Sequence, residues 1–299
     1  NVRLRGGLLE TWRLGDAREG PDAGAPDVLD RRRAVMHDEL RLFVAPVVIL
    51  GCLGFGAERE VAHAPLLENM AALAEGGQIT MTSTGAPSGT ADCIQGNMLW
   101  SLMELGYKDP RLDKAYEWMA RTVTGEGVAP MQERNAAVRY YSYKIGPSFA
   151  CGVNNKLPCA WGGVKVMLAL GKLPAEQQTP LIRKAIHQGA QFFLGIDPAT
   201  AKYPTRDNSR PNRAWWKFGF PVFYVTDLLQ LAEAFVNLGY GKDERFANTF
   251  DIIREKQNAH GQWLLEYDYT GKTWLDFGKK KQPNKWVTLR ALRILKSLN

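Results

Sequence analysis

The chain has 299 residues, of which 45% are hydrophobic and 23% charged, a composition typical of a globular protein with one large core or two modest ones. Its formal charge is +7, but the lysines and arginines are spread along the chain. Because no nucleic-acid-binding motif accompanies them, we predict no nucleic-acid partner. The four cysteines are too few for a disulfide scaffold at this length, which favours reduced thiols and a cytoplasmic location.

The N-terminal part of the chain differs from the rest. Residues 1–35 are rich in Gly, Pro, Asp and Arg and are predicted to form a partly irregular arm, and residues 36–299 a helical-repeat domain. The uncharged run LFVAPVVILGCLGFGA, from Leu42, is shorter than a membrane-spanning helix and is broken by proline and glycine. We interpret it as a core segment, with a peripheral membrane contact as the alternative. The oligomeric state is left open.

Two later segments resemble each other. LWSLMELGYKDPRLDKAYEWM and LAEAFVNLGYGKDERFANTFDII each contain an apolar helix pattern, Leu-Gly-Tyr, a polar turn and a second amphipathic pattern, and a looser third copy begins at Val164. The turn glycines Gly106, Gly171 and Gly239 are predicted to be left-handed helix terminators. The pattern predicts an all-α chain of helical hairpins, stacked as an open solenoid or a closed toroid.

The segment QNAHGQW, with Gln257, Gly261 and Trp263, has the Q-x-x-x-G-x-W form of the QW repeat. With hairpins of this length, the chain from about Cys93 onward resembles the squalene-cyclase-like and protein-prenyltransferase-like α/α-toroid family. The resemblance implies an α/α toroid, a barrel of stacked hairpins around a central cavity for a small organic molecule. The D-x-D-D and D-D-x-x-D motifs of that family are absent, as is its zinc set, so the fold transfers better than the chemistry.

The candidate site is a group of carboxylates and aromatics near the C-terminus. Paired carboxylates in an apolar cavity can act as acid and base, and aromatic side chains hold sugars or cations. The predicted catalytic residues are Asp227, Glu266, Asp268 and Asp276, and the predicted substrate-binding residues are Trp215, Trp216, Tyr224, Tyr267, Trp274 and Trp286. The alternative is that the tryptophans pack between helices and the acids pair with lysines.

Three cysteines form a second candidate. Cys93, Cys151 and Cys159 offer thiolates for zinc or a pair able to oxidise, although the spacing differs from that of structural zinc sites. Buried free cysteines are the favoured interpretation, and no cofactor is predicted besides this zinc alternative.

Three functions follow as expectations. The first is a terpenoid-cyclase-like or prenyltransferase-like enzyme that uses cavity carboxylates for acid–base chemistry on a small organic substrate. The second is a glycoside hydrolase with paired carboxylates acting on a sugar. The third is a non-catalytic binding or scaffold protein built from the same repeats.

Overall fold

The computed structural model describes residues 77–79, 90–129, 133, 145–207, 210–222, 225–269 and 276–298. The predicted arm, and two predicted site residues, Tyr224 and Trp274, lie outside these residues. Within them the chain is mostly helical, as predicted. The helices are α1 (Asp92–Glu104), α2 (Arg111–Thr124), α3 (Ala160–Leu170), α4 (Pro180–Leu194), α5 (Leu228–Asn237), α6 (Ala247–Glu255) and α7 (Lys285–Lys296), and the strands are β1 (Ile145–Gly146) and β2 (Ala150–Cys151).

The helices form two layers. α1, α3, α5 and α7 contact one another in that order, and α2 packs on α4, while α6 packs on the turn that follows α4. The connections within the pairs α1–α2, α3–α4 and α5–α6 are short, and the two helices of each pair are in contact. The chain therefore alternates between the layers, as the hairpin repeat predicts.

The first layer is held at its α1–α3 contact by glycine. A Cβ atom on Gly96 would lie 2.3 Å from the backbone carbon of Lys165, so only glycine lets the two helices approach this closely. Farther toward the N-terminal ends, a Cβ on Gly162 would lie 3.1 Å from Asp92 Cβ. The helices therefore run in the same direction, with their first residues side by side.

The same direction continues through the layer. The Lys165 ammonium hydrogen-bonds to Gln230 in the first turn of α5, and Arg290 of α7 forms an ion pair with Asp227, which caps α5. One edge of the layer thus collects the helix starts. We call it the N-terminal edge, formed by Asp92, Cys159, Asp227 and Asn284, the first or capping residues of α1, α3, α5 and α7.

The repeat prediction is confirmed at two of its three turns. Gly106 and Gly239 have φ values of 72° and 85°, the left-handed conformation expected after a helix. The prediction was wrong for Gly171, which has a φ of −69°. A Cβ there would lie 3.2 Å from Ala234 O on α5, so this glycine is required by close helix packing rather than by its backbone conformation.

The QW segment joins α6 to α7. Trp263 is fully buried; its indole Nε1 donates to Ile253 O of α6 at 2.6 Å, and its carbonyl accepts from Asn284 N at the start of α7 at 2.9 Å. The backbone N–H of Trp263 donates to Thr288 Oγ1. Trp263 therefore packs over the adjacent helices, which is the role that the motif predicts for it.

Candidate functional site

Asp227 lies at the N-terminal edge with every oxygen occupied. Arg290 donates to both carboxylate oxygens at 2.9 Å, the Gln230 amide donates to Oδ1 at 2.8 Å, and the Gly219 amide to Oδ2 at 3.1 Å. The side chains of Asp227 and Arg290 are 3% and 13% exposed. These contacts cap α5 and connect it to α7, so the Asp227 carboxylate stabilises the packing of these two helices.

Glu266 lies close to Asp227. Its Oε2 accepts from the Phe218 amide at 2.9 Å, next to the Gly219 amide that Asp227 holds, and Lys256 donates to both of its oxygens at 2.7 and 2.9 Å. The structure therefore brings two of the predicted carboxylates to one short backbone segment. Each is already bonded to its own cation.

Asp268 and Asp276 have weaker surroundings. Asp268 lies 3.9 Å from the Lys280 ammonium, and exposed Asp276 accepts from the Gly278 amide at 2.9 Å. These two partners, Lys280 and Gly278, lie in the connection that precedes α7. The four predicted catalytic residues thus divide into one close pair, Asp227 and Glu266, and two separate acids.

The predicted aromatic residues lie in three places. Trp215 and Trp216 donate their indole N–H groups to the carbonyls of Pro198 and Ala199, at 3.0 and 2.7 Å. Tyr267 packs edge-on against Tyr269. Trp286, half-buried in the first turn of α7, stacks on Phe220 with 5.1 Å between ring centroids and 9° between planes. Trp286 lies at the N-terminal edge, and Tyr267 pairs with Gly219 beside Asp227 at the same edge.

The three predicted cysteines come together at the other end of this edge. Cys93 is the second residue of α1, Cys159 caps α3, and Cys151 ends β2. The Cys159 thiol is within hydrogen-bonding reach of the Cys151 sulfur, and Cys93 is close enough to interact electrostatically with both. All three residues are half-buried. In the part of the chain that the structure describes, no set of three His, Cys, Asp or Glu side chains is arranged to hold a metal ion, and the zinc alternative stays a prediction.

Asp92, which the sequence reading did not single out, lies beside these thiols. It is 4% exposed, and its Oδ1 has no hydrogen-bond partner among the described residues. Burial holds the pKa of the Asp92 carboxyl well above its usual range, and the Cys151 sulfur adds to the shift. A helix N-terminus favours the charged carboxylate by only about 0.3–1 kcal/mol, so desolvation is the larger effect and Asp92 holds its proton to higher pH than an exposed aspartate.

The thiols also favour their protonated forms. Burial raises the pKa of Cys93 to about 12, with Cys151 and Asp92 adding to the shift and the Lys165 ammonium opposing it. The hydrogen bond to Cys151, followed by burial, raises the pKa of Cys159 well above its usual range. Asp92, Cys93 and Cys159 therefore hold their protons to higher pH than exposed groups of the same types, and a carboxyl of this kind is suited to donating a proton.

A signal for Asp92 is present in the sequence. The residue directly precedes Cys93 and begins a helix in which Ile94, Met98 and Leu99 are buried. An acid at the start of an apolar helix predicts an exposed capping residue, because carboxylates at that position are common and stabilising. Its burial follows from the Gly162 contact across the layer, which the local pattern does not contain.

None of the helices in the described ranges is long and apolar enough to cross a membrane. A comparison with known protein families, with characterised proteins and with solved structures finds no match to this chain.

Proposed function

We propose that the protein is an enzyme that transfers a proton from Asp92 to a small, uncharged organic substrate at the N-terminal edge. The observation that carries this proposal is the buried, incompletely hydrogen-bonded Asp92 carboxyl, whose pKa is held above its usual range beside three thiols. A carboxyl group whose pKa is raised still carries its proton at a higher pH than an exposed aspartate, so it is available as a general acid. This keeps the acid–base mechanism expected from the sequence and moves its acid to Asp92.

The fold proposal is that the two helical layers curve into an α/α toroid. Its support is the parallel order α1, α3, α5, α7, with α2 and α4 packed outside it, and the QW contact of Trp263 between α6 and α7. In such a fold the N-terminal edge would surround one mouth of the cavity. Asp92 and the stacked pair Phe220–Trp286 would then face the same substrate.

The proposed substrate class is an isoprenoid olefin or a related neutral lipid. An olefin is uncharged, so its site needs a proton donor and no anion-binding group, and aromatic faces stabilise the cation that protonation creates. Glycoside hydrolysis is the competing function, because Asp227 and Glu266 lie near one another. Both carboxylates are already engaged, in ion pairs with Arg290 and Lys256 and in hydrogen bonds from the Gly219 and Phe218 amides, so a sugar would have to displace these partners.

The test is turnover of a panel of isoprenoid olefins and chromogenic glycosides by the wild-type protein and by the Asp92→Asn variant. The amide is close in shape to the acid but donates no acidic proton, so we expect kcat on the olefin to fall by about 10²–10⁴. The matched control is Asp113→Asn, which changes an exposed acid on α2 and should leave kcat unchanged. Product analysis by gas chromatography would measure both.

Two outcomes would contradict the proposal. Olefin turnover that survives Asp92→Asn would remove Asp92 as the proton donor. Turnover of a glycoside alone, abolished by Glu266→Gln and retained by Asp92→Asn, would establish the carbohydrate-active alternative.

A further inference from the structure

The hairpin that precedes α3 places two cysteines on one face. Ala150 and Pro158 form an antiparallel bridge, flanked by hydrogen bonds from Cys151 N to Leu157 O at 3.1 Å and from Cys159 N to Phe149 O at 2.8 Å. Side chains alternate across a strand, so Cys151 and Cys159 lie on the face opposite to Ala150 and Pro158. They are diagonal neighbours in this register.

The two side chains are also in contact. The Cys159 thiol is within hydrogen-bonding reach of the Cys151 sulfur, and both residues are reduced and half-buried. The tip of the hairpin between them is exposed at Gly152 and Val153, outside the two helical layers. Diagonal neighbours on one face of a hairpin are farther apart than directly opposite residues, so a disulfide between these two cysteines forms with a backbone shift that closes this separation.

We infer that Cys151 and Cys159 are a redox-modification site that forms a reversible disulfide with a low-molecular-weight disulfide, such as oxidised glutathione, as the oxidant. The thiolate of Cys151 attacks the oxidant and releases one molecule of reduced glutathione. Cys159 then loses its proton and attacks the Cys151 sulfur of the mixed disulfide, which releases the second. Two electrons pass to the oxidant, and the two thiol protons leave with the two glutathione molecules or the solvent.

The order of attack follows from the hydrogen bond. Because the hydrogen bond to Cys151 raises the pKa of the Cys159 thiol, the first attack is assigned to Cys151, which adjoins the exposed hairpin tip. Cys93 is expected to stay reduced, since it lies on α1 rather than on the hairpin and burial raises the pKa of its thiol to about 12. The inference concerns the cysteine pair itself and does not depend on the proposed enzymatic activity.

The test uses the full chain with Cys52→Ser, so that the remaining thiols are the three at this site. The protein is incubated with oxidised glutathione, its free thiols are alkylated, and its peptides are analysed by mass spectrometry. We expect a linked Cys151–Cys159 peptide and the loss of both alkylation sites, reversed by dithiothreitol. The matched variant Cys93→Ser should give the same link, whereas Cys151→Ser and Cys159→Ser should give none.

Circular dichroism before oxidation verifies that each variant is folded. Three outcomes would overturn the inference. They are a disulfide that contains Cys93, a glutathione adduct without the intramolecular link, and alkylation of all three thiols after oxidation. Because the readout is a covalent mass, its failure is distinguishable from a failure of the proposed proton transfer.

Discussion

The Asp227→Ala variant is expected to lose about 3–5 kcal/mol of free energy of unfolding, the cost of removing one partner from a buried ion pair. Arg290, whose side chain is 13% exposed, would keep its charge and lose both of its bonds to the carboxylate. The amides of Gln230 and Gly219 would lose their acceptor as well. The helix cap and the contact between α5 and α7 would fail together.

Chemical denaturation monitored by tryptophan fluorescence measures this loss. The control is Asp276→Ala, which removes one exposed hydrogen bond to Gly278 and should change the free energy of unfolding by no more than about 0.5 kcal/mol. Asp227→Asn keeps an acceptor oxygen and should fall between the two. An Asp227→Ala protein as stable as wild type, but without turnover, would contradict the structural role and restore Asp227 as the catalytic acid.

The Trp263→Ala variant is expected to lose about 3–5 kcal/mol of free energy of unfolding, the range for truncating a large aromatic residue in a core. Trp263 is fully buried. Removing its indole would leave the Ile253 carbonyl without its hydrogen-bond donor. Because this side chain lies between α6 and α7, its loss would loosen the C-terminal end of both layers.

Two substitutions separate these contributions. Trp263→Phe keeps most of the apolar packing and loses the hydrogen bond, so it should cost less than the alanine change in the same denaturation experiment. Trp216→Ala removes an indole that is half-buried and donates a comparable bond to Ala199 O, and we expect a smaller loss. If Trp216→Ala and Trp263→Ala lose the same free energy of unfolding, Trp263 contributes no more to stability than a half-buried tryptophan elsewhere in the chain.

The sequence predicts the helical hairpins well because their signals are local. The turns at Gly106 and Gly239 are each followed by an aspartate that caps the next turn and pairs with an arginine two residues later, Asp109 with Arg111 and Asp243 with Arg245. Glycine, aspartate and arginine within one turn are readable without knowledge of the fold. The third copy lacks this set, and its glycine proved to have a different role.

The candidate site is harder to predict because its contacts are long-range. Asp227 and Arg290 are 63 positions apart, and no local pattern pairs them. Asp92 is buried through the contact with Gly162, which depends on how α1 crosses α3. The cysteines were recognisable as a candidate by residue type, but their spacing in the chain indicated neither the hydrogen-bonded pair nor the neighbouring acid.

The proposed proton transfer requires that the Asp92 carboxyl stays protonated in the folded protein at pH values where ordinary aspartates are ionised. The direct test is the free energy of unfolding of the wild-type protein and of Asp92→Asn, measured by denaturation at several values from about pH 5 to about pH 8. Since the pKa is raised in the folded state, the folded protein holds a proton that the unfolded chain releases. Stability therefore falls as pH rises above the unfolded value, by up to about 1.4 kcal/mol per unit, until the folded pKa is reached.

All other titrating groups are common to both proteins and cancel in the difference. Because Asp92 holds its proton in the folded state, we expect wild type to lose free energy of unfolding relative to Asp92→Asn as the pH rises across this range. Curves that stay parallel would mean that Asp92 titrates like an exposed aspartate, and the proposed proton donor would be wrong.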